Sequence, residues 1–306
     1  MTLPHSPNLN SWLSFNSAIT QNAPTCGAPK NSKRIVRDLS ENGGGSRKCC
    51  SCCPRRHFLG AAVGAGLLPT LPSFASHKDS QDSTTMLNRI HPPRPDWYEE
   101  LYASAMDKTM RSYEAEIAGY KSELFANLRG KAERIVEIGV GTGPNLKYYA
   151  DYPDILVFGV DPNRKMQKYA EAAAETAGFP PSNFRFMQAV AEALPLKDAS
   201  VDAVVGTLVL CSVKDVDQAL QEVRRVLKPG GLYIFVEHVA AKDGTLLRFV
   251  QGILDPLQQT VADGCHLTRH TATNIATAGF ADLDVNQAVL STASLINPHV
   301  YGVAYK

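Results

Sequence analysis

Arg134-Ile-Val-Glu-Ile-Gly-Val-Gly-Thr-Gly143 is the stretch on which the reading of this chain turns. Ile135, Val136 and Ile138 make a short apolar run suited to a buried strand; Glu137 sits near its end, and Gly139, Gly141 and Gly143 follow at once. A glycine-rich turn leaving a strand lets bare backbone approach a ligand more closely than any Cβ allows. The spacing is G-x-G-x-G, and Pro144 stands where a dinucleotide-binding G-x-G-x-x-G needs its third glycine. The turn also lacks the Gly-Lys-Ser/Thr of a phosphate-binding loop.

The next apolar run, Ile155–Val160, leads into Gly159-Val-Asp161-Pro-Asn163. A carboxylate at the end of a second strand accepts hydrogen bonds from ribose hydroxyls in nucleotide-binding sheets. The plainer role for Asp161 is to cap the helix that follows. In an open α/β sheet the ligand lies outside the carboxyl ends of the strands, near the switch in strand order. Glu137 and Asp161 would set two anionic anchors there, beside bare backbone. That combination suits S-adenosylmethionine, whose sulfonium and ammonium are positive and which has no phosphate.

Strand and helix patterns then alternate. Strands are expected at Ile135–Ile138, Ile155–Val160, Phe184–Val190, Val201–Leu210 and Leu232–Glu237, with helices such as Arg164–Ala177 and Val216–Leu227 between them. This alternation predicts parallel strands joined by crossover helices. Leu246–Val261 and Thr268–Ala278 read as further helices, and Leu283–Leu290 with His299–Tyr305 as a closing antiparallel hairpin. The expected fold is α/β, a doubly wound, mostly parallel seven-stranded sheet. Upstream, Tyr102, Met106, Met110, Tyr113, Ile117, Tyr120 and Leu124 recur at helical spacing, and one helix is expected from Trp97 to about Leu128. The turn Lys228–Gly231 is expected to join a helix to the fifth strand.

Charge gives no nucleic-acid footprint: 31 basic and 30 acidic residues leave a net charge of +1. Composition shifts along the chain instead. Residues 1–53 are rich in Ser, Asn, Gly and Pro, as in a plastid transit peptide. Residues 54–76 carry Arg55-Arg56, a mildly apolar stretch and the small-residue site Ser73-Phe74-Ala75, resembling a twin-arginine export signal. The pair forms a two-stage address for the chloroplast thylakoid lumen; an uncleaved anchor and a stromal protein are the rival readings. Residues 77–96 read as a polar linker and 97–306 as the functional domain. Five of the seven cysteines (Cys26, Cys49, Cys50, Cys52 and Cys53) lie in the leader, so Cys211 and Cys265 alone imply no disulfide framework for the domain.

Over residues 97–306 the chain resembles the class I S-adenosylmethionine-dependent methyltransferases. Thr207-Leu-Val-Leu-Cys-Ser-Val213, Glu237-His-Val-Ala-Ala241, Asp263-Gly-Cys-His-Leu-Thr-Arg269 and Pro298-His-Val-Tyr-Gly302 narrow the resemblance to the thiol S-methyltransferase branch. The resemblance implies S-adenosylmethionine as cofactor, held by Glu137, Gly139, Gly141, Gly143, Asp161, Asn163, Val190, Ala191, Glu192 and Leu208. Many relatives place an Asp where this chain has Val190, which leaves adenine recognition to backbone groups, Glu192 or apolar packing.

Methyl transfer from a sulfonium is an in-line displacement, so the protein's tasks are to position the acceptor and favour its nucleophilic form. Alkyl thiols resemble or exceed cysteine in pKa, and a nearby base raises the thiolate fraction. His238, just past the fifth strand, and Asp255 are the candidate catalytic groups, with core packing as the competing role. Asp263 is either functional or a cap within a lid. His266 and His270 would share a helix face as i, i+4 metal ligands, but this chemistry needs no metal and none is expected. The aromatic segments Trp97–Leu124 and Leu246–Val261 are expected to cover the crevice and favour a small apolar acceptor. A thiol leads; a lipid or prenylquinone methylated on N, O or C, and an inactive cofactor-binding scaffold, are the alternatives. A monomer with peripheral thylakoid contact and no nucleic-acid partner completes the expectation.

Overall fold

The computed structural model describes residues 76–152 and 154–306; the leader readings over 1–75, including the twin-arginine segment and its cysteine cluster, lie outside the described residues. In chain order the elements are α1 (Ser76–Ile90), α2 (Asp96–Thr109), α3 (Arg111–Phe125), β1 (Arg134–Ile138), β2 (Leu156–Asp161), α4 (Gln167–Thr176), β3 (Phe184–Gln188) and β4 (Val201–Thr207). They continue with α5 (Val216–Val226), β5 (Leu227–His238), α6 (Leu246–Val261), α7 (Thr271–Thr277), β6 (Asp282–Ala288) and β7 (His299–Tyr305).

The seven strands form one sheet in the order β3-β2-β1-β4-β5-β7-β6. β1 is parallel to both β2 and β4, so the order reverses between them, and only β7 runs against its neighbours β5 and β6. The doubly wound sheet and its closing hairpin are therefore as the alternation predicts. One face packs Ile135, Val205, Ile234 and Val303 against Tyr113, Ile117 and Phe125 of α3. The other packs Val136, Val204 and Phe235 against Leu220 and Val223 of α5. Burial on both faces explains why the central strands are continuous apolar runs. β6 forms one edge, and its sequence Asp-Leu-Asp-Val-Asn-Gln-Ala is correspondingly polar.

Three expectations need correction. The polar linker at 77–96 contains α1, whose few apolar residues cluster at its end, where Leu87 is buried. The single helix over 97–128 is two helices broken at Met110, which ends α2 and begins α3. Thr109 Oγ1 donates to the Ala105 carbonyl at 2.9 Å, a back-bond that loosens a last helical turn. The turn at Lys228–Gly231 is absorbed into β5, with Gly230 at φ 76° and a register shift against β4.

Candidate functional site

A cavity of about 1100 Å³ opens at the carboxyl ends of the first four strands, on the β1/β4 reversal. Its floor is the turn that leaves β1. Gly139 has φ 61°, and a Cβ there would stand 2.7 Å from Val209 Cγ2; Gly143 has φ 82°, and a Cβ would meet Leu146 Cδ1 at 2.8 Å. Neither position accepts a side chain without shifting the adjoining loop. Gly141 turns its N–H to Asp161 Oδ2 at 3.0 Å, and the Asn163 N–H reaches Asp161 Oδ1 at 2.9 Å. Asp161 thus braces the glycine turn while lining the cavity. Burial raises its pKa to about 7, only partly offset by those two N–H groups.

The walls come from the other strand ends and from the N-terminal helices. Val190, Ala191 and Glu192 follow β3 and line the cavity. Glu192 Oε1 also accepts from the Lys214 N–H at 2.7 Å and the Asp215 N–H at 3.3 Å, pinning the loop before α5. Leu208 follows β4 with φ 55°, and Asp263 follows α6 with φ 50°. Both line the cavity, and such backbone in non-glycine residues is strained enough to mark constrained sites. Across the space stand Tyr102, Met106 and Met110.

Asp263 anchors a polar cluster at this wall. His91 Nε2 lies 3.2 Å from its Oδ1, and Arg94 Nη1 lies 2.8 Å from the same oxygen. Burial favours the neutral acid at Asp263, but the His91 hydrogen bond and the charges of His91 and Arg94 outweigh it and hold the pKa below the usual carboxylate range. In return the Asp263 hydrogen bond raises the pKa of His91 despite its burial.

Of the residues singled out in the sequence, Gly139, Gly141, Gly143, Asp161, Val190, Ala191, Glu192 and Leu208 share this cavity. Glu137, Asn163, His238 and Asp255 are not among its lining residues. Glu137 lies beneath the turn, where Asn145 Nδ2 donates to Oε1 at 2.9 Å and Tyr149 Oη to Oε2 at 2.7 Å. Burial raises its pKa to about 7, with those two hydrogen bonds and then Lys121 opposing. Asn163 caps the turn after β2: its Oδ1 accepts from the Lys165 N–H, and its Nδ2 donates to the Glu99 carbonyl of α2.

His238 is 1% exposed, with Nε2 3.1 Å from Cys265 Sγ. Asp255 accepts from Gln259 Nε2 at 2.7 Å and the Leu267 N–H at 2.5 Å, so it holds the loop after α6 in shape. His266 and His270 sit in that loop and not on a helix, which removes the i, i+4 geometry. α6 contributes no lining residue either; its Leu246, Phe249, Ile253, Leu257 and Val261 are exposed. His91 and Arg94 escape sequence reading because their role arises from contact with Asp263, far away in the chain.

Comparison with known proteins identifies the family. Residues 136–235 match a family described as a methyltransferase domain. The chain is 42% identical over 204 residues to human thiol S-methyltransferase TMT1A, covering 63% of this chain and 81% of that protein. It is 39% identical over 206 residues to thiol S-methyltransferase TMT1B of Rattus norvegicus, covering 65% and 82%. Among solved structures, the YcgJ protein of Bacillus subtilis superposes with a TM-score of 0.50 at 20% identity, covering 61% of this chain and 98% of that one. The [4+2]-cyclase SpnF does so with a TM-score of 0.50 at 19% identity, covering 62% and 80%. A cyclase on the same fold means that the architecture alone does not select a reaction.

Proposed function

Because the chain belongs to the class I S-adenosylmethionine-dependent methyltransferases, close to their thiol S-methyltransferase branch, we propose that it methylates the sulfur of a small apolar thiol. The observation that carries this reading is one cavity with two chemistries: a glycine turn braced by Asp161 on one side, and Tyr102, Met106 and Met110 on the other.

The residues present fit the cofactor. Gly139 and Gly143 permit the tight turn, since a Cβ at either would collide with Val209 or Leu146, and the turn from Gly139 to Pro144 offers no Lys or Arg for a phosphate. Asp161 accepts one backbone N–H on each oxygen and has lone pairs left for ribose hydroxyls. Val190, Ala191, Glu192 and Leu208 would enclose the adenine side. When bound, S-adenosylmethionine supplies an electrophilic methyl group on its sulfur. Glu137 acts through Asn145 and Tyr149 as a positioning residue for the turn.

In this reading the proton acceptor is His91 and not His238, since His91 lines the cavity and His238 does not. With Nε2 turned to Asp263, the imidazole keeps Nδ1 as its basic nitrogen, and the carboxylate fixes the ring as in other carboxylate–histidine pairs. Met106 and Met110 give this wall an adaptable apolar surface suited to an apolar acceptor.

The proposal extends to place. The leader gives a plastid and thylakoid address, and the exposed stripe on α6 is suited to peripheral contact with a lipid surface from which an apolar acceptor could enter. Among the described residues no helix is long and apolar enough to cross a membrane.

The test is transfer of labelled methyl from the cofactor by the full chain to a panel of alkyl thiols, prenylquinones and phospholipids. Thioether formation is expected with alkyl thiols. Labelling of quinone or phospholipid alone would replace the thiol with one of those acceptors.

A further inference from the structure

Three chemically distinctive side chains that the methyl-transfer reading does not use converge beside the cavity. Cys211 follows β4, His238 closes β5, and Cys265 lies in the loop after α6. Their ligand atoms all lie within 4.8 Å of one another. His238 Nε2 is 3.1 Å from Cys265 Sγ, and Cys211 Sγ also donates to the Leu208 carbonyl at 3.3 Å. All three residues are buried, and both cysteines are free thiols.

Core packing alone explains this grouping poorly. His238 commits neither ring nitrogen to a backbone or carboxylate partner: Nε2 faces Cys265 Sγ, and Nδ1 has no hydrogen-bond partner among the described residues. Two sulfurs and one imidazole are a soft to borderline donor set, suited to a d¹⁰ cation. Around a tetrahedral zinc, such donors stand about 3.8 Å (S to S) and about 3.6 Å (S to N) apart, so side-chain shifts of about 1 Å close the site.

We propose that Cys211, His238 and Cys265 form a binding site for a thiophilic divalent cation of the zinc class, with one corner left for water or Ser212. Ser212 Oγ lies 3.6 Å from Cys211 Sγ, and both Ser212 and Gly264, the neighbours of the two cysteines, line the cavity. An ion here ties the ends of β4 and β5 to the loop bearing Asp263, so it fixes part of the cavity wall. The site is independent of which acceptor is methylated.

The experiment uses the full chain with Cys26, Cys49, Cys50, Cys52 and Cys53 replaced by Ser, so that leader thiols do not compete. After chelation, the protein is titrated with Co²⁺ and then with Zn²⁺. One equivalent of Co²⁺ with thiolate-to-metal charge-transfer absorption, displaced by Zn²⁺, is expected. Cys265→Ser should weaken Zn²⁺ binding by more than the ~100-fold that loss of an outer-shell partner costs. Absence of the charge-transfer band in the parent chain overturns the proposal, whatever the variants do. So does a band that persists in Cys211→Ala, which serves if Cys265→Ser does not fold.

Discussion

Asp161 holds two backbone N–H groups and faces a cavity in which burial, outweighing those hydrogen bonds, raises its pKa to about 7. Ribose hydroxyls donate to the ionised form, so cofactor binding favours loss of the proton. Affinity for S-adenosylmethionine should therefore rise as pH climbs from 6 towards 8, by up to about tenfold per unit below the pKa. In Asp161→Asn that slope should flatten. Titration calorimetry across this range checks it, and an equal slope in both proteins would assign the effect to another group, His91 first. Asp161→Ala should cost about 2–3 kcal/mol of cofactor affinity, because it strands the ligand's hydroxyls and two backbone donors together. His91→Gln should lower kcat and shift its pH profile more than it changes cofactor affinity, whereas His238→Gln should leave the acidic limb of that profile in place. The glycines and Asp161 were legible because backbone geometry and strand position dictate them locally. His91 was not, since nothing near it in the chain announces Asp263.

The segments show why helices were harder to read than strands. β7 has the bounds its pattern predicts and β1 begins one residue earlier than expected, at Arg134, since burial on both faces leaves a dense apolar signature. α1 has few apolar residues, and its polar composition reads as linker until Leu87 and the cavity-lining Ile90 are placed. α6 misleads in the opposite sense, because its apolar stripe faces solvent and not the crevice. The link between α3 and the glycine turn was also invisible. Lys121 is buried, with Nζ 2.7 Å from Glu114 Oε2 and 2.8 Å from Asn145 Oδ1, and Asn145 passes the connection to Glu137 and to Thr207 of β4. Burial lowers the pKa of Lys121, with Glu114 opposing. Lys121→Ala should destabilise the protein by about 3–5 kcal/mol, as removal of one partner from a buried pair does. Urea unfolding measures this; a loss below about 1 kcal/mol would show that the network is dispensable.

Taken as one body, the described residues set a sheet with reversed strand order beneath a cavity, and an apolar helix face away from it. Leu246, Phe249, Ile253, Leu257 and Val261 are joined by Trp97 and Leu101 as exposed large apolar side chains; the Tyr98 hydroxyl donates to the Thr260 carbonyl at 3.5 Å, which brings α2 beside the end of α6. Flotation with galactolipid vesicles should carry the protein, and Ile253→Glu with Leu257→Glu should reduce the floated fraction several-fold with cofactor binding intact. Equal flotation of the double variant would move the contact elsewhere. The β1/β4 reversal was foreseeable from the order of motifs, since parallel alternation admits few arrangements. The His91–Asp263 pair and the buried thiol–imidazole cluster were not, because both depend on loops meeting across the fold.

The most direct measurement is calorimetric titration of the full chain with S-adenosylmethionine and with its demethylated product. One site per chain is expected for each compound, with binding weakened strongly in Asp161→Ala while that variant keeps its circular dichroism. No heat from well-folded protein, or unchanged affinity after loss of the Asp161 carboxylate, would contradict the placement of the cofactor on the turn at residues 139–143.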